Sequence, residues 1–311
     1  MIWGGTDIRP YKELPPSSET IGESWELSHV ENNFSIVANG DLEGKTIDDL
    51  IKDYGAQLLG DKVIQRFGTT FPLLIKFIDA RDNLSIQVHP NDELARKRHN
   101  SFGKTEMWYV IKASDNAALY SGFSKQIDAG EYVKRVTDNT LVEVLKRYEV
   151  KAGDVFFLPA GRVHAIGAGC FIAEIQQTSN ITYRIYDYNR KDAAGNSREL
   201  HTELAKDAID YTLQPDYRTN YTERKNENVG LVRCQYFTTN LLDIDKARTT
   251  DLSNLGSFII YICLEGKVSI RDNNENEVTI HKGQTVLIPA NTANIHITPE
   301  NQAKLLESYI E

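Results

Sequence analysis

The sequence predicts a mainly β protein: two β-sandwich halves with a few added helices. Three observations carry this expectation. Most of the chain reads as short apolar or alternating segments separated by Gly, Asn and Asp turns. Residues 151–166, KAGDVFFLPAGRVHAI, are matched at an offset of 130 by residues 281–296, HKGQTVLIPANTANIH. Helical spacing is confined to three segments, 45–59, 126–149 and 197–212.

In chain order, the first helical segment places Ile47, Leu50, Ile51, Tyr54 and Leu58 on one face after a turn at Gly44. The second holds two short helical patterns interrupted at Asp138-Asn139. The third begins at Ser197, a good capping residue, and continues with Leu200, Leu204 and Ile209. The stretch from Asp216 to Asn228 lacks apolar periodicity and is the expected boundary. With 311 residues, the chain is long enough for two ordinary domains. They are expected at 1–225, with all three helical segments, and at 226–311. Within the repeat, Gly153 falls on Gly283, Pro159 on Pro289, Gly161 on Asn291 and His164 on Asn294. In each copy a glycine turns into an apolar strand, and Pro with Gly or Asn makes a tight turn that aims the next side chain. The aimed residue is a histidine only in the first copy.

The bulk properties exclude several function classes. A formal net charge of −9 without a basic block argues against nucleic-acid binding. An acidic chain still binds a phosphate where a few cations converge. The longest apolar runs, FPLLI and FIIYICL, are far too short for a membrane span. The start, MIWGGTDIRP, shows no charged segment followed by an apolar core. Cys170, Cys234 and Cys263 are odd in number and lack CxxC spacing, as expected of reduced cysteines in a cytoplasmic protein.

The segment LSIQVHPND, residues 84–92, is an unusual strand. Residues two apart share a face, so Ser85, Gln87 and His89 oppose Ile86 and Val88. The spacing Gly153, Pro159, Gly161, His164 resembles the second motif of the cupin jelly roll, whose final histidine is a metal ligand inside the barrel. Gln87 and His89 are then placed to meet His164, with Glu106 in GKTEMWYVI as a fourth donor. Two imidazoles, a carboxylate and an amide oxygen make a mixed site with open positions. That set suits one divalent metal per chain, Zn²⁺ first, acting on a substrate. Taken singly, His164 reads more readily as a hydrogen-bonded buried histidine, Gln87 as a polar strand residue and Glu106 as a strand-edge charge. Their combination with the Pro-Gly-His turn favours the metal.

The chain also resembles type I phosphomannose isomerase in its short bacterial form. The resemblance runs through WGG (Trp3–Gly5), ESWELSHV, LLIKFIDARDNLSIQVHPND, GKTEMWYV, FLPAGRVHAIGAG and AEIQQTSNITYRIYDYNR, nearly the whole chain. It implies Gln87, His89, Glu106 and His164 as zinc ligands, Arg184 as the catalytic arginine and Glu174 as an acidic active-site residue. Lys76 and Lys104 match lysines bordering the sugar-phosphate pocket. The implied activity interconverts mannose 6-phosphate and fructose 6-phosphate through an enediol, with Glu174 or Lys104 as the acid/base. A bicupin metal oxygenase and a sugar-binding regulator are the competing classes. Gln87 counts against the first, whose sites favour histidines and carboxylates. No basic helix-turn-helix supports the second. The second repeat carries Asn294 at the ligand position and is expected to be metal-free.

Overall fold

In the computed structural model, which describes residues 3–191 and 195–311, strand alternation sorts the first half into two facing sheets. Its strands are β1 (Glu23–Leu27), β2 (Leu73–Ala80), β3 (Ile86–Val88), β4 (Glu106–Ala113), β5 (Ala118–Phe123) and β6 (Leu145–Glu149). They continue with β7 (Val155–Leu158), β8 (His164–Ile166), β9 (Cys170–Gln177), β10 (Tyr183–Tyr186) and β11 (Arg218–Thr219). One sheet has the order β1-β2-β9-β4-β7-β11 and the other β10-β3-β8-β5-β6. Alternate residues of both sheets, including Ile78, Trp108, Val110, Leu119, Phe156, Ile166 and Ile172, form one buried core. Burying each such side chain contributes about 1.5–3 kcal/mol.

The opposite face of the second sheet is not left to water. Ile86, Val88, Tyr183 and Ile185 pack with Tyr132 and Ala205 from two helices, Ala129–Thr137 and Thr202–Ala208. Both faces of β3 and β10 are therefore covered, and their inward-facing residues are held between two packed layers. The inner positions Gln87 and Arg184 lie in this sheet.

The helices correct the sequence reading in detail. The segment 45–59 is helical over Ile47–Tyr54 and Ala56–Leu59, and begins with a capping box between Thr46 and Asp49. In 126–149 only Ala129–Thr137 is an α-helix; a short 3₁₀ turn follows, and 145–149 is strand β6. The third helix starts at Thr202 rather than after Ser197, because Ser197 instead bridges to Lys191. Three α-helices lie outside the expected segments, Ile8–Tyr11, Asp61–Phe67 and Asp92–His99.

The packing divides the chain differently from the linear 1–225 and 226–311 expectation. One unit holds residues up to Ile8, Ser17–Ser24 and Ile75–Thr219; the other holds Arg9–Pro16, Trp25–Leu74 and Asn220–Glu311. The break after Thr219 falls inside the predicted boundary stretch. The first helical segment, however, belongs to the second unit. There Leu58 and Leu59 carbonyls accept the backbone N–H groups of Ala290 and Phe258, and the Phe71 and Phe258 rings lie 4.5 Å apart. Contacts distant in sequence decide this, and no local pattern reveals them.

The repeat is visible in the backbone. Strand β7 spans 155–158 and its counterpart 285–288; β8 and the long strand Asn294–Tyr309 begin 130 residues apart. Gly153 and Gly283 share φ values of +90° and +83°, a region open to glycine. The Pro159 and Pro289 carbonyls accept from Arg162 and Thr292 at 3.0 and 3.1 Å. The second unit's strands enclose a separate core that includes Leu242, Ile259, Tyr261, Ile295 and Leu305. Among the described residues, no helix is long and apolar enough to cross a membrane. Cys170, Cys234 and Cys263 are free thiols.

Ile172 is fully buried in the first core, whereas Ile36 is 65% exposed. Ile172→Ala is expected to cost about 2–5 kcal/mol and Ile36→Ala less than about 0.5 kcal/mol, read as shifts in denaturant midpoint. Equal shifts would contradict the assigned core.

Candidate metal centre

The inner faces of the first unit are apolar along most of their length and polar at one end. On β8 the inner residues are Ile166 and then His164; on β4 they are Val110, Trp108 and then Glu106; on β9 they are Ile172, Glu174 and Gln176. Alternation alone delivers these side chains to one region. His89, just past β3, joins them because the chain leaves the strand at Pro90 and enters the helix Asp92–His99. Asn91 caps that helix, accepting the Leu94 N–H at 3.0 Å. The proline that ends the unusual strand therefore marks the point where its last side chain is delivered.

Candidate donor atoms of His89, Glu106 and His164 lie within 4.8 Å of one another, and all three residues are buried. His164 Nε2 is 3.2 Å from Glu106 Oε1, and His89 Nε2 is 3.5 Å from Glu106 Oε2. Both imidazoles are oriented from behind. His89 Nδ1 donates to the Ile181 carbonyl at 2.9 Å, and His164 Nδ1 to the Arg162 carbonyl at 2.8 Å. A carbonyl only accepts, so each Nδ1 carries the proton and each Nε2 presents a lone pair. Burial holds both imidazoles neutral: His89 is pushed well below its ordinary pKa, and His164 is pushed down to about 4. His89 Nε2, His164 Nε2 and both Glu106 oxygens are buried without a hydrogen-bond partner. Four such atoms gathered in one place fit a bound cation.

The remaining predicted residues surround this cluster. Gln87 pairs across strands with His164 on one side and Arg184 on the other, placing all three on the same face. Arg184 donates through Nη1 to the Glu199 carbonyl at 3.1 Å. Lys104 is buried, with Nζ 3.4 Å from Glu106 Oε2. Lys76 is buried 3.4 Å from Glu174 Oε1 and 3.8 Å from Glu23 Oε2. Burial opposes the charge of Glu174, but Lys76, Lys104 and the Trp108 indole, which donates at 2.8 Å, hold its carboxyl below the usual range. Burial likewise opposes the charge on Lys76, and Glu174 and Glu23 outweigh it. Glu106 goes the other way, pushed up to about 8 by burial and then by the Glu174 charge.

Several supporting residues escaped the sequence reading. Trp108 lies two positions from Glu106, so the strand period was sufficient to place it on the inner face. The clamp on the Lys104–Glu106 segment had no local signature. The Thr105 N–H donates to Gln177 Oε1 at 2.8 Å, and Gln177 Nε2 donates to Asp92 Oδ1 at 3.1 Å. That same oxygen accepts the Gly103 N–H at 2.8 Å. Thr105 Oγ1 accepts the Ala160 N–H, and the Gly161 N–H donates to the His89 carbonyl at 2.9 Å. The turn before His164 is thereby tied to both other donors. Gly161 has φ +90°, and a Cβ there would meet the Ala208 carbonyl at 2.9 Å.

A β-sandwich with two neutral imidazoles and a carboxylate buried at one end of its core defines a metal-binding cupin. Comparison with known proteins supplies the family. Residues 1–110 match the family model for the phosphomannose isomerase type I catalytic domain, and residues 228–310 match the mannose-6-phosphate isomerase cupin domain. The chain is 35% identical to mannose-6-phosphate isomerase ManA of Bacillus subtilis over 93% of its own length and 89% of the relative's. It is 33% identical to the mannose-6-phosphate isomerase of Streptococcus mutans, with the same shares covered. The crystal structure of the Bacillus subtilis mannose 6-phosphate isomerase superposes with a TM-score of 0.88 at 31% identity, covering 100% of this chain and 96% of that one. A phosphomannose isomerase mutant from Salmonella typhimurium shares the fold at 16% identity, with a TM-score of 0.80 and coverage of 100% and 97%. The chain belongs to the type I phosphomannose isomerase family.

At pH 7 the metal-free Glu106 carboxyl retains its proton, since its pKa is pushed up to about 8. Metal uptake must displace that proton, so affinity is expected to rise as pH climbs towards 8, with about one proton released per site. Calorimetry in two buffers of different ionisation enthalpy measures the release. Heats independent of the buffer would contradict it.

Proposed function

We propose that the inner end of the first sandwich is the active centre of a zinc-dependent aldose–ketose isomerase interconverting mannose 6-phosphate and fructose 6-phosphate. The observation that carries this reading is the convergence of four unpartnered buried donor atoms from His89, Glu106 and His164. Gln87 adds an amide from the adjacent register position. The mixed nitrogen and oxygen set, without thiolate, suits Zn²⁺ at a site that acts on substrate. When bound, a divalent cation polarises the substrate oxygens at C1 and C2 and stabilises their charge.

The chain's own groups supply the rest. Isomerisation moves a proton between C1 and C2 through an enediol and needs an acid/base on one face of the sugar. Glu174, held ionised chiefly by Lys76 against the effect of burial, is ready to accept a proton. Lys104 is the second candidate, placed beside Glu106. Arg184, opposite Gln87, offers fixed guanidinium donors to the reacting oxygens or to the sugar. Lys76 and Lys104 bring cations to a chain of net charge −9, and the bound molecule is a small sugar phosphate.

The second unit is read as metal-free. Its counterpart of His164, Asn294, is exposed. His296 Nδ1 lies 3.0 Å from Thr249 Oγ1, and His281 Nδ1 lies 3.0 Å from the Lys282 carbonyl. Both histidines have ordinary partners, and the only close group of metal-type donors among the described residues is in the first unit.

Mannose 6-phosphate labelled with deuterium at C2 is expected to lose part of its label to solvent during turnover. Replacing the true base, tested with Glu174→Gln and Lys104→Met, should lower kcat about 10²- to 10⁴-fold and abolish the exchange. Normal turnover by both variants removes both candidates. Complete transfer of the label to C1 would point to a hydride shift.

A further inference from the structure

Beyond the metal donors and Glu174 Oε1, the buried polar atoms without a partner on the same inner faces include, among the described residues, Ser121 Oγ and Gln176 Oε1. Both residues are fully buried. Ser121 on β5 pairs across strands with His164, and Gln176 on β9 pairs with Glu106. Directly paired residues of antiparallel strands point to one side of the sheet, so each stands beside a proposed metal donor. The Gln176 amide is fixed in orientation. Its Nε2 donates to the Gln177 carbonyl at 2.8 Å and the Ser179 carbonyl at 2.7 Å. Both acceptors are carbonyls, so the oxygen is necessarily the bare end.

A third bare atom completes the pattern. Arg184 Nε is buried without a partner, and Arg184 pairs with Gln87. Glu106, His164 and Gln87 thus each have a neighbour with unmet hydrogen-bonding capacity: an acceptor, a hydroxyl that serves either way, and a donor. Further along the same faces the sequence uses apolar side chains, Leu119 before Ser121 and Ile172 before Glu174 and Gln176. A buried acceptor left bare is costly, so polar residues at these two positions imply a ligand with hydroxyls to offer.

We propose that Gln176 and Ser121 bind hydroxyl groups of the substrate, with Gln176 accepting from one sugar hydroxyl and Ser121 hydrogen-bonding another. They make the site selective for a polyhydroxylated chain. The inference rests on the isomerase reading above. Neither residue takes or gives a proton in the reaction.

The test compares metal-loaded wild type, Gln176→Met and Ser121→Ala on mannose 6-phosphate and on analogues that each lack one non-reacting hydroxyl. Both variants should keep the wild-type metal content and lose kcat/KM roughly ten- to hundredfold on the full substrate. For each variant, that loss should vanish on the one analogue missing its partner hydroxyl, which a purely structural role would not produce. Ser121→Ala removes a single atom and carries the same comparison if Gln176→Met does not fold. Wild-type kcat/KM in the variants, or an equal loss on every analogue, would overturn the proposal. A wild-type enzyme without activity on mannose 6-phosphate would instead overturn the isomerase reading.

Discussion

The constraint on which the rest of the site depends is the burial of Glu106. Its carboxyl has no solvent exposure, and neither oxygen has a hydrogen-bond partner. An isolated buried carboxylate is strongly disfavoured, and the surroundings accordingly push its pKa up to about 8. What faces it is two imidazole lone pairs and the Lys104 ammonium 3.4 Å away. Such an arrangement is unfavourable as a packed core and favourable as a cation site. The supporting hydrogen bonds serve that purpose: carbonyls fix the imidazole tautomers, and the Gln177–Asp92–Thr105 clamp fixes the strand entry.

The two carboxylates at this end are pushed apart by their neighbours. Both are buried, so desolvation disfavours ionising either. Lys76 lies against Glu174, which also accepts a hydrogen bond from the Trp108 indole N–H, so Glu174 keeps its charge. Its negative charge then raises Glu106. Two carboxyls in one site thereby acquire distinct protonation states, as the roles proposed for them require: Glu106 as a metal donor and Glu174 as an ionised group available to the substrate.

Much of this was legible in the sequence because the strand period is strict. Gln87 and His89 share a face by counting, and the Gly-Pro-Gly-His spacing places His164 after a turn whose hydrogen bonds recur 130 residues later. Trp108 was reachable by the same counting from Glu106. Gln176 and Ser121 were not, because their importance depends on which residue stands opposite, and cross-strand register is set by contacts far apart in sequence. The same limit explains why the packing units do not follow the linear division at 225. Helices 47–54 and 56–59 have clear local signals, yet their membership of the second unit is decided by Ala290 and Phe258. The sequence of strand β6 carries a helical pattern because Leu141–Val144, a 3₁₀ turn, supplies helical spacing just before it.

Diffraction from crystals of the metal-loaded protein, collected at the zinc absorption edge, addresses the central claim most directly. The account predicts one anomalous peak per chain, about 2.0–2.2 Å from His89 Nε2, His164 Nε2 and a Glu106 oxygen. A peak outside this cluster, or a second one beside Asn294 and His296, would contradict it.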